Sequence, residues 1–148
     1  MENTEQTREQ QVWQRVMARQ EMPRGDDLRT LLLAAMEQSG SFRRLSEALS
    51  GKQRELVKQL YEAQQAGVAC LKGIAALSHQ GEEALKLWSP AKEPAAKLLE
   101  KCYHRSRRCL VEYTARCADP EFGPVFQQLA RREEQICAQI AQLLGSLR

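Results

Sequence analysis

Apolar residues recur at spacings of three and four over most of the chain, which is the pattern of amphipathic helices. Four stretches carry this pattern, and they predict helices near residues 26–49, 52–78, 93–118 and 120–147. No window alternates apolar and polar residues over the length of a strand. The sequence therefore predicts an all-α domain.

The apolar stripe of each predicted helix is expected to face a common core. In the second helix the stripe consists of Leu56, Leu60, Gln64, Gly67, Leu71, Ile74 and Leu77. Polar members occur in every stripe: Ser39, Gln64, Ser106 and Glu133. A buried polar group needs a hydrogen-bond partner.

The connections between the helices differ in length, and their lengths restrict the topology. The first and third are only two to five residues long and predict two antiparallel hairpins. The second, residues 79–92, contains Gly81 and Pro90 and is long enough to run the full length of the bundle. It permits an up-down-down-up arrangement, with a simple up-down-up-down bundle as the alternative.

A polar N-terminal arm, residues 1–24, precedes the bundle, which we expect to span residues 25–148. One short amphipathic patch lies in this arm, and on a helical turn its members would share one side: Val12, Trp13, Val16 and Met17. The bundle does not need this patch for its own core. We therefore expect the arm to form a contact in a homodimer.

The two predicted hairpins resemble each other in the spacing of their key positions. In the first, Ala35 lies seven residues before an aromatic residue, and Gln64 follows 29 residues after Ala35. In the second, Ser106 lies seven residues before an aromatic residue, and Glu133 follows 27 residues after Ser106. Each pair is expected to meet at a comparable level of its hairpin.

With these positions in view, the sequence resembles the ferritin-like superfamily, and in particular small rubrerythrin-related proteins. The resemblance covers about residues 28–147 and is carried by LYEAQQAGVACLKGIAAL in the second helix and EYTARCADPEFGPVFQQLARREEQICAQIAQLL across the third and fourth. It implies an up-down-down-up four-helix bundle with a long crossover between the second and third helices. It also implies a di-iron site, to which each hairpin contributes a Glu and then a Glu-x-x-His on the next helix.

The ligand positions implied by this resemblance are almost all replaced in the present chain. In the order of the sequence they are Ala35, Gln64, Gly67, Ser106, Glu133 and Ile136. Only Glu133 keeps the ligand type of the family, and one carboxylate cannot balance the charge of two metal ions. We therefore expect a degenerate di-iron site that binds no metal.

Glu133 lies in the middle of its apolar stripe, so we expect its carboxyl group to be protonated or to be hydrogen-bonded to Gln64, Ser106 or water. Two interpretations remain open. Glu133 is either a residual acid–base or ion site, or a vestigial polar group that fixes the register of the helices.

Composition and charge exclude several classes of protein. The chain has 148 residues, of which 43% are hydrophobic and 28% charged, as expected for one folded domain. Its 22 basic and 19 acidic residues give a formal charge of +3, which is too small to indicate nucleic-acid binding. No apolar run is long enough to span a membrane, and the N-terminus is too polar for a secretory signal, so we expect a cytoplasmic protein.

Motifs of known enzymes are absent from the sequence. Five cysteines without a Cys-x-x-Cys spacing predict reduced thiols, and His79 and His104 fall outside the apolar stripes. We expect a non-catalytic protein with an interaction or structural role and no cofactor. The alternative is a rubrerythrin-type redox protein that binds iron or another transition metal at a site rebuilt around Glu133 and buried cysteines.

Cys102 and Cys137 form the one thiol pair that the predicted geometry brings together. Cys102 lies four residues before Ser106, and Cys137 lies four residues after Glu133. If Ser106 and Glu133 lie at one level of two antiparallel helices, both cysteines lie one turn from that level, on the same side. We expect two packing residues with raised pKa values. The alternative is a pair that oxidises to a disulfide or binds a soft metal ion.

Removal of residues 1–22 should shift the molecular mass measured by light scattering from dimer toward monomer, because it deletes the apolar patch of the arm. An unchanged mass with unchanged thermal stability would show that the arm does not mediate association.

Overall fold

The computed structural model describes residues 24–78 and 92–147. These residues form four helices and no strand: α1 (Arg24–Ala48), α2 (Gly51–Leu77), α3 (Ala95–Ala115) and α4 (Gly123–Leu147). The predicted all-α class is confirmed for this part of the chain. The patch of the arm, with Trp13, and most of the predicted crossover, with His79 and Trp88, lie outside the described residues. No described helix is both long and apolar enough to cross a membrane.

The link between α1 and α2 is a tight turn, and both of its ends lie one residue before the predicted positions. Gly51 has a φ of 62°, in the left-handed region that favours glycine. The side chain of Arg54 reaches back, and its Nε donates to the carbonyl oxygens of Ser46 and Leu49 at 2.9 and 2.8 Å. These bonds satisfy carbonyl groups that the end of α1 leaves without helical partners.

The link between α3 and α4 is longer than predicted, because α3 ends at Ala115 instead of 118 and α4 begins at Gly123 instead of 120. Asp119 organises this turn. Its Oδ1 accepts the backbone N–H groups of Glu121 and Phe122 at 2.8 and 3.0 Å, and its carbonyl oxygen accepts the N–H of Gly123 at 2.9 Å. The local side-chain bonds therefore replace the helical bonds expected over this segment.

The remaining helix ends lie within two residues of the prediction. The first helix begins at Arg24, two residues before the predicted start at 26. The third helix begins at Ala95, after Pro94, which cannot donate a backbone hydrogen bond. Both differences leave the apolar stripes in place.

The core consists of two apolar clusters, one in each half of the bundle. The first contains Leu28, Leu31, Leu32, Ala35, Val68, Leu71, Ile74, Cys109, Tyr113, Phe126 and Leu129. The second contains Phe42, Leu45, Leu49, Val57, Leu60, Leu98, Leu99, Cys102, Ile136, Ile140 and Leu143. The first half of α1 thus shares a cluster with the second halves of α2 and α3 and the first half of α4.

Each helix packs against two others. The helix α1 contacts α2 and α3, and α4 contacts α3 and α2. The predicted inward stripes are largely correct, but Leu77, the last residue of α2, is wrong, since it is 73% exposed. The α2 side chains that belong to a core cluster end with Ile74, one turn earlier. Conversely, Val57 and Val68 are buried although the predicted stripe omits them.

Gly123→Ala should lower the free energy of unfolding by about 1–3 kcal/mol. A Cβ at this position would lie 2.6 Å from the carbonyl oxygen of Cys117, so the backbone of the turn would have to move. Urea unfolding followed by circular dichroism measures the change. The matched control is Gly73→Ala in α2, where nothing lies within 4 Å of the added Cβ and where alanine should stabilise the helix by ~0.5–1 kcal/mol. Equal effects of the two substitutions would contradict the described turn.

Candidate functional site

A layer of buried polar side chains lies between the two apolar clusters. On every helix, the polar positions fall between the residues of one cluster and those of the other. The members are Gln38, Ser39 and Ser41 on α1, Gln64 on α2, Ser106 on α3 and Glu133 on α4. This polar layer contains three of the six positions at which the resemblance predicts ligands, Gln64, Ser106 and Glu133, and it is the candidate functional site.

Ser106 and Glu133 are directly bonded across the second hairpin. The Ser106 hydroxyl donates to Oε1 of Glu133 at 2.6 Å, and both side chains are buried. Burial raises the pKa of the Glu133 carboxyl to about 7, and the hydrogen bond from Ser106 opposes part of this shift. Of the partners expected for Glu133, the structure therefore places Ser106 beside it.

Gln64 bonds to the backbone of α1 instead of to Glu133. Its Nε2 donates to the carbonyl oxygen of Ala35 at 3.1 Å, which brings together the two residues predicted to meet in the first hairpin. Its Oε1 is buried and has no hydrogen-bond partner among the described residues. A neutral amide at this position thus links α2 to α1 and leaves one acceptor unsatisfied.

The space expected for the histidine ligands is occupied by apolar side chains. At Gly67, the Cδ2 atom of Leu129 lies 3.7 Å from the place where a Cβ would be. Ile136 is 2% exposed and belongs to the second apolar cluster. An imidazole at either position would have to displace core side chains that are already in contact.

Arg105 is a member of the layer that the sequence analysis missed, because it lies in a run of charged residues. Its Nη1 donates to Oε1 of Gln38 at 2.8 Å and to the Ser41 hydroxyl at 3.3 Å. Gln38 in turn donates from Nε2 to the carbonyl oxygen of Cys102 at 2.8 Å. The Nε atom of Arg105 also lies 3.8 Å from a carboxylate oxygen of Glu37. This network joins α1 to α3. The signal for Arg105 in the sequence was the presence of two polar residues, Gln38 and Ser41, beside the apolar stripe of α1.

The cysteines near the polar layer are free thiols. Burial raises the pKa of Cys102 to about 11, although the charge of Arg105 and a hydrogen bond with Ser41 lower it. Burial, with a contribution from the charge of Glu133, raises the pKa of Cys109 to about 12. Cys137 is buried as well, but the proximity of Cys102 and Cys137 stays a prediction. Thiols with such pKa values are protonated near pH 7 and react slowly.

The residues present do not fit a di-iron centre. Glu133 is the only carboxylate among the six positions that the resemblance implies, and it accepts a hydrogen bond from a hydroxyl group. Within residues 24–78 and 92–147, no group of three or more His, Cys, Asp or Glu side chains is placed to hold a metal ion. His104 is exposed on α3, with its ring against Tyr103, which agrees with the predicted surface position.

Comparisons with known proteins identify no relative. No family model, no curated protein and no solved structure matches the chain. The function must therefore be inferred from the contacts of its own side chains.

Glu133→Gln should stabilise the protein at pH 8 more than at pH 5, with a difference of about 2–3 kcal/mol in the free energy of unfolding. The folded-state pKa of about 7 exceeds the ordinary value of 4.5, so the folded protein binds the proton more tightly. The stability contributed by the protonated carboxyl is present below pH 4.5 and is lost as the pH rises toward 7. Glutamine keeps the shape of the side chain and does not ionise.

The measurement is urea unfolding of both proteins at each pH. Glu134→Gln, at the exposed neighbouring position, is the matched control and should show no such difference. A stabilisation by Glu133→Gln that does not change with pH would mean that the carboxyl has an ordinary pKa.

Proposed function

We propose that this chain is a ferritin-like bundle without metals that acts as a non-catalytic interaction or structural protein. The observation that carries the proposal is the chemistry of the polar layer, where five of the six expected ligands are replaced. Ser106 and Gln64 are used for bonds between helices, and the other replaced positions pack as part of the core. A polar layer of this kind supports fold and register instead of catalysis.

Charge is the main physical argument against a metal centre at this position. Two divalent ions need several anionic ligands, but Glu133 is the one acidic residue among the buried side chains of the described residues. Its raised pKa of about 7 reflects a site that favours the neutral acid. Burial is the largest cause of this shift.

An up-down-down-up topology with a full-length crossover is part of the proposal. Support comes from the core clusters, in which the second halves of α2 and α3 lie at one end and their first halves at the other. The helix pairs in contact also agree, since α1 packs against α3 and α2 against α4. Residues 78–94 can extend over ~55 Å, which exceeds the ~31 Å length of α3.

We further propose that the protein is a cytoplasmic homodimer. The support for the compartment is that all five cysteines are free thiols, as is usual in a reducing environment. The support for the homodimer is the apolar patch of the arm. No nucleic-acid or membrane partner is proposed, since the net charge is only +3.

The alternative, a rubrerythrin-type redox protein with a site rebuilt around Glu133 and the cysteines, receives less support. Its thiols would have to ionise or bind a metal, but burial raises the pKa values of Cys102 and Cys109 to about 11 and 12.

Protein expressed with iron, manganese and zinc supplied should contain less than one equivalent of transition metal per chain and should not oxidise ferrous iron. The physical reason is the shortage of anionic ligands in the polar layer. Elemental analysis of the purified protein and an oxygen-consumption assay measure the two properties.

Glu133→Ala is the control for this measurement, because it removes the one remaining carboxylate of the six positions. Any metal bound elsewhere should be unchanged in this variant. Stoichiometric metal that disappears in the variant would overturn the proposal and favour the redox alternative.

A further inference from the structure

A groove lies on the outer face of α1 and α3. It has a volume of about 800 Å³ and runs along the first half of α1 and the second half of α3. Its apolar lining includes Leu31, Leu33, Ala34 and Val111. Val111 is 65% exposed, so its side chain is open to contact with a partner.

The basic residues that line the groove outnumber the acidic ones. Glu37 lies 3.8 Å from Arg105, and Glu112 lies 3.7 Å from Arg116, so both acids of the lining have a basic neighbour. Arg107 and Arg108 also line the groove and are exposed, and neither forms an ion pair with another described residue. The groove therefore offers an apolar strip beside two available positive charges.

The N-terminal segment of the chain has the complementary sequence. Written as a helix, residues 2, 5, 9, 12 and 16 share one face, on which acidic residues come first and apolar residues follow. Glu9 precedes Trp13 by one helical turn, ~6 Å, and Arg107 precedes Val111 by the same distance on α3. A segment that runs parallel to α3 would therefore pair Glu9 with Arg107 while Trp13 covers Val111.

We propose that the groove between α1 and α3 binds the N-terminal segment, residues 2–17, of a second copy of this chain. The inference rests on the proposed homodimer and identifies its contact surface. Met22 precedes Pro23, which disfavours a helical conformation at Met22, so the sequence predicts an extended connection that leads away from the end of α1. A two-fold dimer then contains the contact twice, with each segment in the groove of its partner.

The first test compares two substitutions at exposed aliphatic residues of the full-length chain. Val111→Asp should shift the mass measured by light scattering from dimer to monomer at micromolar concentration, because the carboxylate would be buried under Trp13. Leu77→Asp is the matched control: Leu77 is 73% exposed on α2 and is not part of the groove, so the dimer should persist. A dimer that survives Val111→Asp, or one that both substitutions disrupt equally, would overturn the proposal.

The second test reverses the charges. Arg107→Glu with Arg108→Glu should raise the dissociation constant of the dimer by on the order of tenfold. Glu5→Arg with Glu9→Arg should do the same, and the combination of all four substitutions should restore association. Absence of this restoration would show that the acids of the segment do not meet the two arginines.

The third test measures fluorescence in a Trp88→Phe background, in which Trp13 is the single tryptophan. It distinguishes binding of the segment to a second copy from binding to the groove of its own chain. The emission of Trp13 should move to longer wavelength on dilution through the dissociation constant. A monomeric chain whose Trp13 emission responds to Val111→Asp but not to Leu77→Asp would mean that the segment binds its own groove, which overturns the second copy as occupant. Metal content, measured on the same samples, tests the metal-free scaffold separately, so the two proposals can fail independently.

Discussion

The hydrogen bond between Ser106 and Glu133 is the interaction around which the middle of this bundle is organised. A carboxyl group that is 4% exposed must either be neutral or be bonded to a donor, and here it has one short bond and a raised pKa. The bond joins α3 to α4 at a level where the core is otherwise apolar above and below. A shift of either helix by one turn would place the carboxyl at the level of Cys102 or Cys109 and would remove its bond with the Ser106 hydroxyl. The cost of burying it unpartnered thus fixes the register of the second hairpin.

The other helix pairs are held at the same level by different chemistry. Gln64 bonds to the backbone of α1, and Arg105 with Gln38 links α1 to α3. These bonds are directional, whereas the two apolar clusters stabilise any arrangement that removes similar areas from water. A polar layer between two apolar clusters therefore selects one alignment of the four helices. This selection is the structural effect that the bonds of the polar layer support.

Much of the fold was accessible from the sequence, because four regular apolar stripes and their short links define helices with little ambiguity. The pairs Ala35 with Gln64 and Ser106 with Glu133 were also accessible, since their separations place them opposite each other in hairpins. The ends of α3 and α4 were not, because they depend on bonds from the Asp119 side chain that no helical pattern contains. Arg105 was missed for a related reason: a long side chain can bury its guanidinium from a position that the periodicity assigns to the surface.

The packing of Leu129 against Gly67 has a consequence for how such a core can change over evolutionary time. The Leu129 Cδ2 atom is already in contact distance of the position where a Cβ on residue 67 would lie, so a histidine there would first have to displace a leucine of the core. Replacing Leu129 beforehand by a smaller residue would open a cavity that costs ~2–5 kcal/mol, a large part of the stability of a domain of this size. Both orders of substitution pass through a poorly packed intermediate. While Leu129 fills this space, the stability of the core disfavours any large side chain at position 67, whatever the chemistry of that side chain.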